Sequence, residues 1–387
     1  MPPKASGPGP TRARFGRLAC LNAIVLGLIM VIPALTRDLW IARLVVSELS
    51  LIVVLPVALV GLVALGRGAS PLIYRATGTA AIFLSLLPFA ATLPAYSAHR
   101  RSFSLHEYFA WGPSHPPVDR RTDQALEPSR PDLRLDFYRG HGEGPRPLLV
   151  IVHGGGFRGG DKGENQAISE VFADAGYSVA DIQYRLSPAA RFPLAIADVK
   201  CLTGRLRERA QEFGIDSDRV AYLGRSAGGA IAIIAAYSAG DARIAPACDV
   251  ADDPVRAIIT MYGPLDLEWG WRQRPFADPI LGYQTLETYI GGTPATHLDA
   301  YRMASATSWV NASVPKTLLI QGDRDSIVSP HHVELLTQAF ARAGLASPRQ
   351  LLVPFADHGF DYHPGGLGEQ LARAEILEFL AESLQRR

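Results

Sequence analysis

Gly224-Arg225-Ser226-Ala227-Gly228-Gly229 carries the densest chemical content in the chain. It follows an apolar run, Val220 to Leu223, and precedes an Ala-rich apolar run. A serine between small residues at a strand-to-helix turn presents a free Oγ, because only small neighbours permit so tight a turn. The helix N-terminus behind it favours developing negative charge. Ser226 is therefore the expected nucleophile of an acyl transfer. A serine hydroxyl is a weak nucleophile and needs a base, and the base needs an orienting group. Two later segments offer these groups, each directly after an apolar run. Gly322-Asp323-Arg324-Asp325 carries two carboxylates, and Asp357-His358-Gly359 carries an imidazole.

A second glycine-rich segment, His153-Gly154-Gly155-Gly156-Phe157, also follows an apolar run. Three glycines let backbone N–H groups approach a bound oxyanion. Gly155 and Gly156 are expected to supply two such donors, and the amide of Ala227 a third. The alternatives are a flexible loop or a phosphate-binding turn, but the run does not fit G-x-G-x-x-G. His153 is expected to brace this loop. Among the other histidines, His363 is a weak alternative base, His331 and His332 are expected at the surface or as caps, and His297 has no evident role.

The elements that must position these groups alternate. Strand-like runs cover 133–139, 147–152, 177–182, 219–223, 257–261, 317–320 and 350–353. Helix-like segments lie between or after them at 165–175, 194–213, 227–238, 330–343 and 367–384. Continuous apolar strands alternating with helices predict an α/β domain, with a mostly parallel sheet covered on both faces. Its span, 132–387, suits one large domain. Residues 97–131 read as a linker, with Trp111-Gly112-Pro113 and His115-Pro116-Pro117 and little periodicity.

The first hundred residues differ. Apolar runs at 18–35, 44–65 and 76–96 each approach the ~20 residues needed to cross a bilayer. They predict a membrane anchor of three transmembrane helices over 18–96, after a disordered basic tail over 1–17. Glu48 is the one carboxylate in the runs. A cleaved signal peptide is the other reading of the first run. Basic residues in the tail (Lys4, Arg12, Arg14, Arg17) and second connector (Arg67, Arg75) outweigh Arg37 and Arg43 in the first. By the positive-inside rule this predicts a multi-pass protein of the cell membrane with its large domain extracytoplasmic. Arg100 and Arg101 argue the other way.

The net charge of +1 gives no reason to expect nucleic acid as a partner. Cys20, Cys201 and Cys248 have no metal-ligand spacing, so no metal site is expected. Free buried thiols are the expected state, with a Cys201–Cys248 bridge left open.

Taken in order, the motifs are specific. His153-Gly-Gly-Gly-Phe157, Gly224-Arg-Ser-Ala-Gly-Gly229, Gly322-Asp-Arg-Asp-Ser-Ile-Val328 and His358-Gly359 make residues 132–385 resemble the hormone-sensitive-lipase-like and bacterial acetyl-esterase branch of the α/β-hydrolases. Gln183-Tyr184-Arg185-Leu186-Ser187-Pro188 and Gly214-Ile215-Asp216 add to the likeness. The resemblance implies an α/β-hydrolase fold, a carboxylic ester hydrolase, and no cofactor. It makes Asp325 the triad acid, with Asp323 the runner-up, and His358 the base. Phe157 and Arg225, where many relatives carry an acidic residue, are expected to meet substrate. The 262–308 insertion, with Trp269, Trp271, Phe276 and Tyr283, is expected to cover the site or line an acyl pocket, or merely to pack. The expected substrate is a small-molecule or lipid ester. Amide hydrolysis, acyl transfer to a second alcohol, and a non-catalytic membrane-tethered binding protein stay open as alternatives.

Overall fold

The computed structural model describes residues 10–66, 71–164, 166–273 and 278–386. Residues 1–9, Arg67, Asn165 and Phe276 are among those outside the described residues. The chain opens with helices α1 (Pro10–Ile29), α2 (Arg37–Glu48), α3 (Ser50–Leu65), α4 (Leu72–Ala98) and the short α5 (Leu105–Ala110). Eight strands follow: β1 (Arg120–Ala125), β2 (Arg134–Tyr138), β3 (Arg146–Val152), β4 (Ser178–Gln183), β5 (Ile215–Arg225), β6 (Ala257–Met261), β7 (Lys316–Gly322) and β8 (Arg349–Val353). Between and after them come α6 (Gln166–Asp174), α7 (Leu194–Glu208), α8 (Ala210–Phe213), α9 (Ala227–Tyr237), α10 (Leu267–Arg272), α11 (Gly282–Ile290), α12 (Pro294–Met303), α13 (His331–Arg342) and α14 (Leu367–Ser383).

All eight strands form one sheet in the order β1-β2-β4-β3-β5-β6-β7-β8. β2 pairs antiparallel with β1 and β4, and every other pairing is parallel. Leu149, Ile151, Ala221, Leu223, Ile259 and Leu318 face one buried cluster, while Leu148, Val150, Val220, Ile258 and Leu319 face another. Burial on both sheet faces explains why these strands read as unbroken apolar runs. The stretch read as a linker does more than connect: it holds α5 and strand β1. The sheet thus begins at Arg120 rather than at 132. β1 is almost wholly polar and lies half-exposed, so apolar patterning did not reveal it.

The first hundred residues pack as a helical bundle, with corrections to the expected boundaries. The basic tail is helical from Pro10. The apolar run from Leu18 ends its helix at Ile29, and Thr36 caps the next one by accepting the Leu39 N–H at 3.3 Å. The run from Leu44 is broken at Leu49, where α2 and α3 meet at 81°. Only α4, among the described residues, is by itself long and apolar enough to cross a membrane. The bent α2–α3 pair would be a second if it counts as one span. The expected three spans are not found. Hydropathy locates apolar residues but not the caps and breaks that turn the backbone.

Small residues make the closest contacts between α1, α3 and α4, Met30, Val54 and Leu65 are buried with them, and many other large apolar residues face outward. Ala19, Cys20 and Ala23 of α1, Ala58 of α3 and Ala81 of α4 are buried. A Cβ on Gly61 would lie 2.8 Å from Cys20 Sγ, and one on Gly16 would lie 2.8 Å from the Leu65 amide. Phe15, Leu18, Val25, Val60, Val63 and Phe83 are exposed. The bundle is docked on the sheet domain. Thr92 donates to the Pro354 carbonyl at 2.9 Å, and Tyr108 donates to the Glu48 carbonyl at 2.8 Å.

Candidate active site

β5 ends at Arg225, and α9 begins at Ala227, leaving Ser226 alone to make the turn with φ 52° and ψ −123°. Such a conformation is strained for a residue with a Cβ and persists only when its surroundings hold it. Here the Ser226 amide donates to the Met261 carbonyl at 2.9 Å. The residues two positions to either side must be glycine. A Cβ at 224 would sit 2.2 Å from the Gly228 carbonyl oxygen, and one at 228 would sit 2.2 Å from that of Val152.

Three side chains from three sheet-edge loops meet at this turn. His358 Nε2 lies 2.8 Å from Ser226 Oγ, and His358 Nδ1 lies 2.9 Å from Asp325 Oδ2. With Nδ1 protonated toward the carboxylate, Nε2 is free to accept the serine proton, a tautomer assigned from this network. Asp325 is itself held: Oδ1 accepts the amides of Ile327 and Val328 at 2.9 and 2.8 Å, and Oδ2 accepts Gln321 Nε2 at 2.8 Å. The runner-up, Asp323, is exposed, and partial desolvation of its carboxyl raises its pKa. Among the described residues no bond joins it to His358.

Beside Ser226 lies a cavity of about 510 Å³. Gly156 and Ala227 border it, while Gly155 makes the bend behind them with φ 108°. A Cβ on Gly155 would fall 2.1 Å from the Gly159 carbonyl oxygen, so glycine is obligatory there. Among the described residues no protein acceptor takes the amides of Gly155, Gly156 or Ala227. Phe157 lines the cavity and stacks on Tyr289 with ring centroids 3.9 Å apart. His153 stacks on Tyr184 behind the glycine loop, and its Nδ1 lies 2.8 Å from the Gly154 carbonyl. Burial lowers its pKa to about 4, so it is neutral.

The 262–308 insertion folds into α10, α11 and α12, and Trp269, Tyr283 and Leu286 from it line the cavity. Trp271 instead donates its indole N–H to Glu287, away from the cavity.

Two expectations need correction. Arg225 does not reach the cavity. It is 4% exposed, ion-paired to Asp361 and bonded to the Tyr262 hydroxyl at 3.1 Å. Burial works against its charge, but the Asp361 carboxylate offsets that and leaves its pKa above the ordinary value. Immediately before Ser226, alternation along β5 turns a side chain to the face opposite the cavity. His332 is not at the surface. It is 3% exposed, lines the cavity, and accepts the Asp266 amide through Nδ1 at 3.3 Å. Burial first, then the neighbouring His331, lowers its pKa to about 3. His363 is buried against Tyr108 and Trp111, remote from the relay. His297 is exposed.

Sequence reasoning missed several supporting groups. Tyr262 packs edge-on to the His358 ring at 4.7 Å and donates to Asp361. Asp357 Oδ1 accepts the amides of Ser326 and His358, each at 2.8 Å. The adjacency of Asp357 to His358 was visible, but its bond to Ser326 spans 31 residues. Cys201 and Cys248, expected as free thiols, are joined in a disulfide with Cα atoms 5.4 Å apart. They belong, with Glu127, to the one metal-type side-chain group among the described residues. Bridged sulfurs offer no thiolate to a metal.

Comparison with known proteins agrees with this architecture. Residues 135–340 match the BD-FAE family. Esterase LipQ of Mycobacterium tuberculosis is 27% identical over 75% of this chain and 69% of its own length. The probable carboxylic ester hydrolase LipM of the same organism is 29% identical over 65% of this chain, but the match spans just over half of LipM, 56%. Among solved structures, a truncated carbohydrate esterase from gut microbiota superposes with TM-score 0.60 at 22% identity, covering 71% of this chain and all of that one. A bacterial heroin esterase gives TM-score 0.58 at 23% identity, covering 70% and 85%. These two likenesses are of fold: an α/β-hydrolase sheet with its helices. The chain belongs to the BD-FAE family and is an enzyme of the carboxylic ester hydrolase class.

Proposed function

We propose that this enzyme is a serine esterase in which Ser226 is the nucleophile, His358 the general base and Asp325 the orienting acid. The observation that carries the reading is the unbroken relay from Asp325 through His358 to Ser226 beside a lined cavity. Ser226 Oγ attacks the ester carbonyl carbon while its proton passes to His358 Nε2. The carbonyl oxygen becomes an oxyanion facing the amides of Gly156 and Ala227, with Gly155 completing the donor loop. Preorganised donors of this kind are each worth about 10²–10³ in rate. The tetrahedral intermediate collapses, His358 returns the proton to the departing alkoxide, and acyl-Ser226 remains. Water, deprotonated by His358, then releases the carboxylic acid. The motif order supports placing the chain with hormone-sensitive-lipase-like esterases. Phe157, Trp269, Tyr283 and Leu286 favour an ester with an apolar acyl group.

The N-terminal bundle supports attachment to a membrane. Glycine and alanine make its closest helix contacts while many large apolar side chains face outward, as in helices packed in lipid, where close backbone approach replaces the hydrophobic effect. α4 supplies the helix of spanning length. The Cys201–Cys248 disulfide favours an oxidising compartment, hence the outer side of a cell membrane for the catalytic domain.

The test is labelling of the full chain in membranes by a fluorophosphonate probe. Wild type should label and Ser226→Ala should not, with p-nitrophenyl ester hydrolysis lost in parallel. Labelling or turnover that survives in folded Ser226→Ala would sink the assignment.

A further inference from the structure

We propose that the cavity takes its ester from the hydrocarbon of a lipid bilayer, across the corner that joins α1 to α2. This rests on the esterase reading above and adds the substrate class: a lipid ester with a long acyl chain. Pro33, in that corner, lines the same cavity as Ser226. The next turns of α2 lie over the relay, with the Trp40 ring 6.4 Å from that of His358. The corner is fixed to the acid loop, since Arg324 donates to the Val31 carbonyl at 3.3 Å. The reacting histidine and the cavity wall are thus shared between the hydrolase domain and the N-terminal helices.

The residues flanking Pro33 turn apolar side chains outward. Val25, Leu28, Ile32 and Leu35 are 44–55% exposed. A contiguous apolar surface of this kind is uncommon on a protein that meets only water. Phe83, Leu86 and Leu93 of α4, the helix of spanning length, are likewise exposed. Lipid is therefore the occupant whose chemistry matches the surface, and Pro33 carries that surface to the wall of the cavity. An acyl chain passing Pro33 would meet Phe157, Trp269, Ile280 and Leu286 in the cavity wall before it reaches Ser226. The reaction is the hydrolysis already described: the ester C–O bond breaks, water supplies OH to the acyl carbon and H to the alcohol.

The experiment uses the full-length protein reconstituted in phosphatidylcholine vesicles containing dioleoylglycerol, with p-nitrophenyl acetate as the water-soluble comparison. Ile32→Lys and, separately, Leu35→Glu place a charge on the corner outside the cavity. Each is expected to cut release of oleate by about tenfold or more, given the cost of a charge at the lipid surface. Hydrolysis of p-nitrophenyl acetate should stay within about twofold, which also reports that the variants fold. Wild type that cleaves the acetate but not the vesicle-held ester overturns the proposal and leaves the esterase standing. Equal losses on both substrates, or no loss on either, also overturn it. Folded protein that cleaves neither ester refutes the esterase reading itself.

An independent observation carries a second inference: Arg43 of α2 is a positioning residue for the relay. Its Nε lies 3.2 Å from Asp357 Oδ2, and a terminal nitrogen donates to the Arg324 carbonyl at 3.1 Å. Both side chains of the ion pair are buried. Arg324 adjoins Asp325, and Asp357 adjoins His358. One guanidinium from the N-terminal helices therefore ties the acid loop to the base loop. A planar, forked cation can hold both acceptors at once, and an ammonium cannot match both geometries. Arg43→Ala is expected to lower kcat by up to about 10²-fold, the cost of a misplacement near 1 Å, with KM little changed. Arg43→Lys should recover part of the loss. A purely structural role would lower the melting temperature while leaving kcat of the folded fraction intact, and that result would overturn the inference.

Discussion

Asp325→Asn probes the relay at the point where structure and sequence differ most in what they decide. The wild-type carboxylate accepts four hydrogen bonds: two backbone amides on Oδ1, and Gln321 and His358 on Oδ2. An asparagine must keep its oxygen toward the amides of Ile327 and Val328. Its NH2 then occupies the Oδ2 position and faces two donors. His358 can accept from it only by moving its proton to Nε2, and a protonated Nε2 cannot take the Ser226 proton. The expected loss is about 10⁴ in kcat, equivalent to ~5.5 kcal/mol at 1.36 kcal/mol per decade. The leftover donor of Gln321 should destabilise the fold by about 1–3 kcal/mol. Asp323→Asn, which touches no member of the relay, should stay within about threefold. The assay is steady-state hydrolysis of p-nitrophenyl esters, with thermal melting as the folding control. If Asp323→Asn collapses while folded Asp325→Asn retains activity within about tenfold of wild type, the relay as drawn is wrong.

Other expectations follow from the same geometry. Gly228→Ala drives a Cβ into the carbonyl oxygens of Val152 and His153, at 2.2 and 2.3 Å. It should yield little folded protein, measured as the melting transition and fluorophosphonate labelling. His332 is buried neutral, with its pKa lowered from 6.5 to about 3. Its contribution to stability is complete above about 6.5 and is lost progressively as pH falls through about 3, because the unfolded chain takes up the proton first. Wild type should therefore lose several kcal/mol between pH 7 and pH 3, at ~1.36 kcal/mol for each pH unit separating protonation of the unfolded chain from that of the folded one. His332→Gln should flatten that profile in melting experiments, and an unchanged slope would exclude His332 as a source. Arg225→Met should leave an uncompensated Asp361 carboxylate beside Tyr262 and destabilise by about 3–5 kcal/mol. A variant as stable as wild type, with altered KM alone, would instead restore Arg225 to a substrate-binding role.

Local chemistry made much of this protein legible. The glycines around Ser226 are demanded by contacts a Cβ could not survive, so the motif announces the turn wherever it occurs between strand and helix. The central strands are buried on both faces, and their unbroken apolar runs say so directly. The order of serine, carboxylate and histidine loops followed from the strands that end in them. Strand β1 escaped because an almost wholly polar edge strand has no apolar signature.

Long-range geometry was beyond such reading. Residue pattern alone does not choose between Asp323 and Asp325; the family resemblance implied Asp325, and the turn of the β7 loop, held by Gln321 and two backbone amides, is what brings it to His358. Arg225 looked like a substrate contact because it adjoins the nucleophile, yet strand alternation sends it to a buried carboxylate 136 residues away. Cys201 and Cys248 stand 47 residues apart, and only the packing of the chain between them brings their sulfurs together. The apolar runs at the N-terminus showed that the region avoids water, but not where its helices break. The chain turns at Pro33–Thr36, where Thr36 caps α2, and again at Leu49, where α2 and α3 meet at 81°. Those bends put Pro33, Trp40 and Arg43 against the active site, an outcome that pairwise distance in folded space decides and spacing along the chain does not.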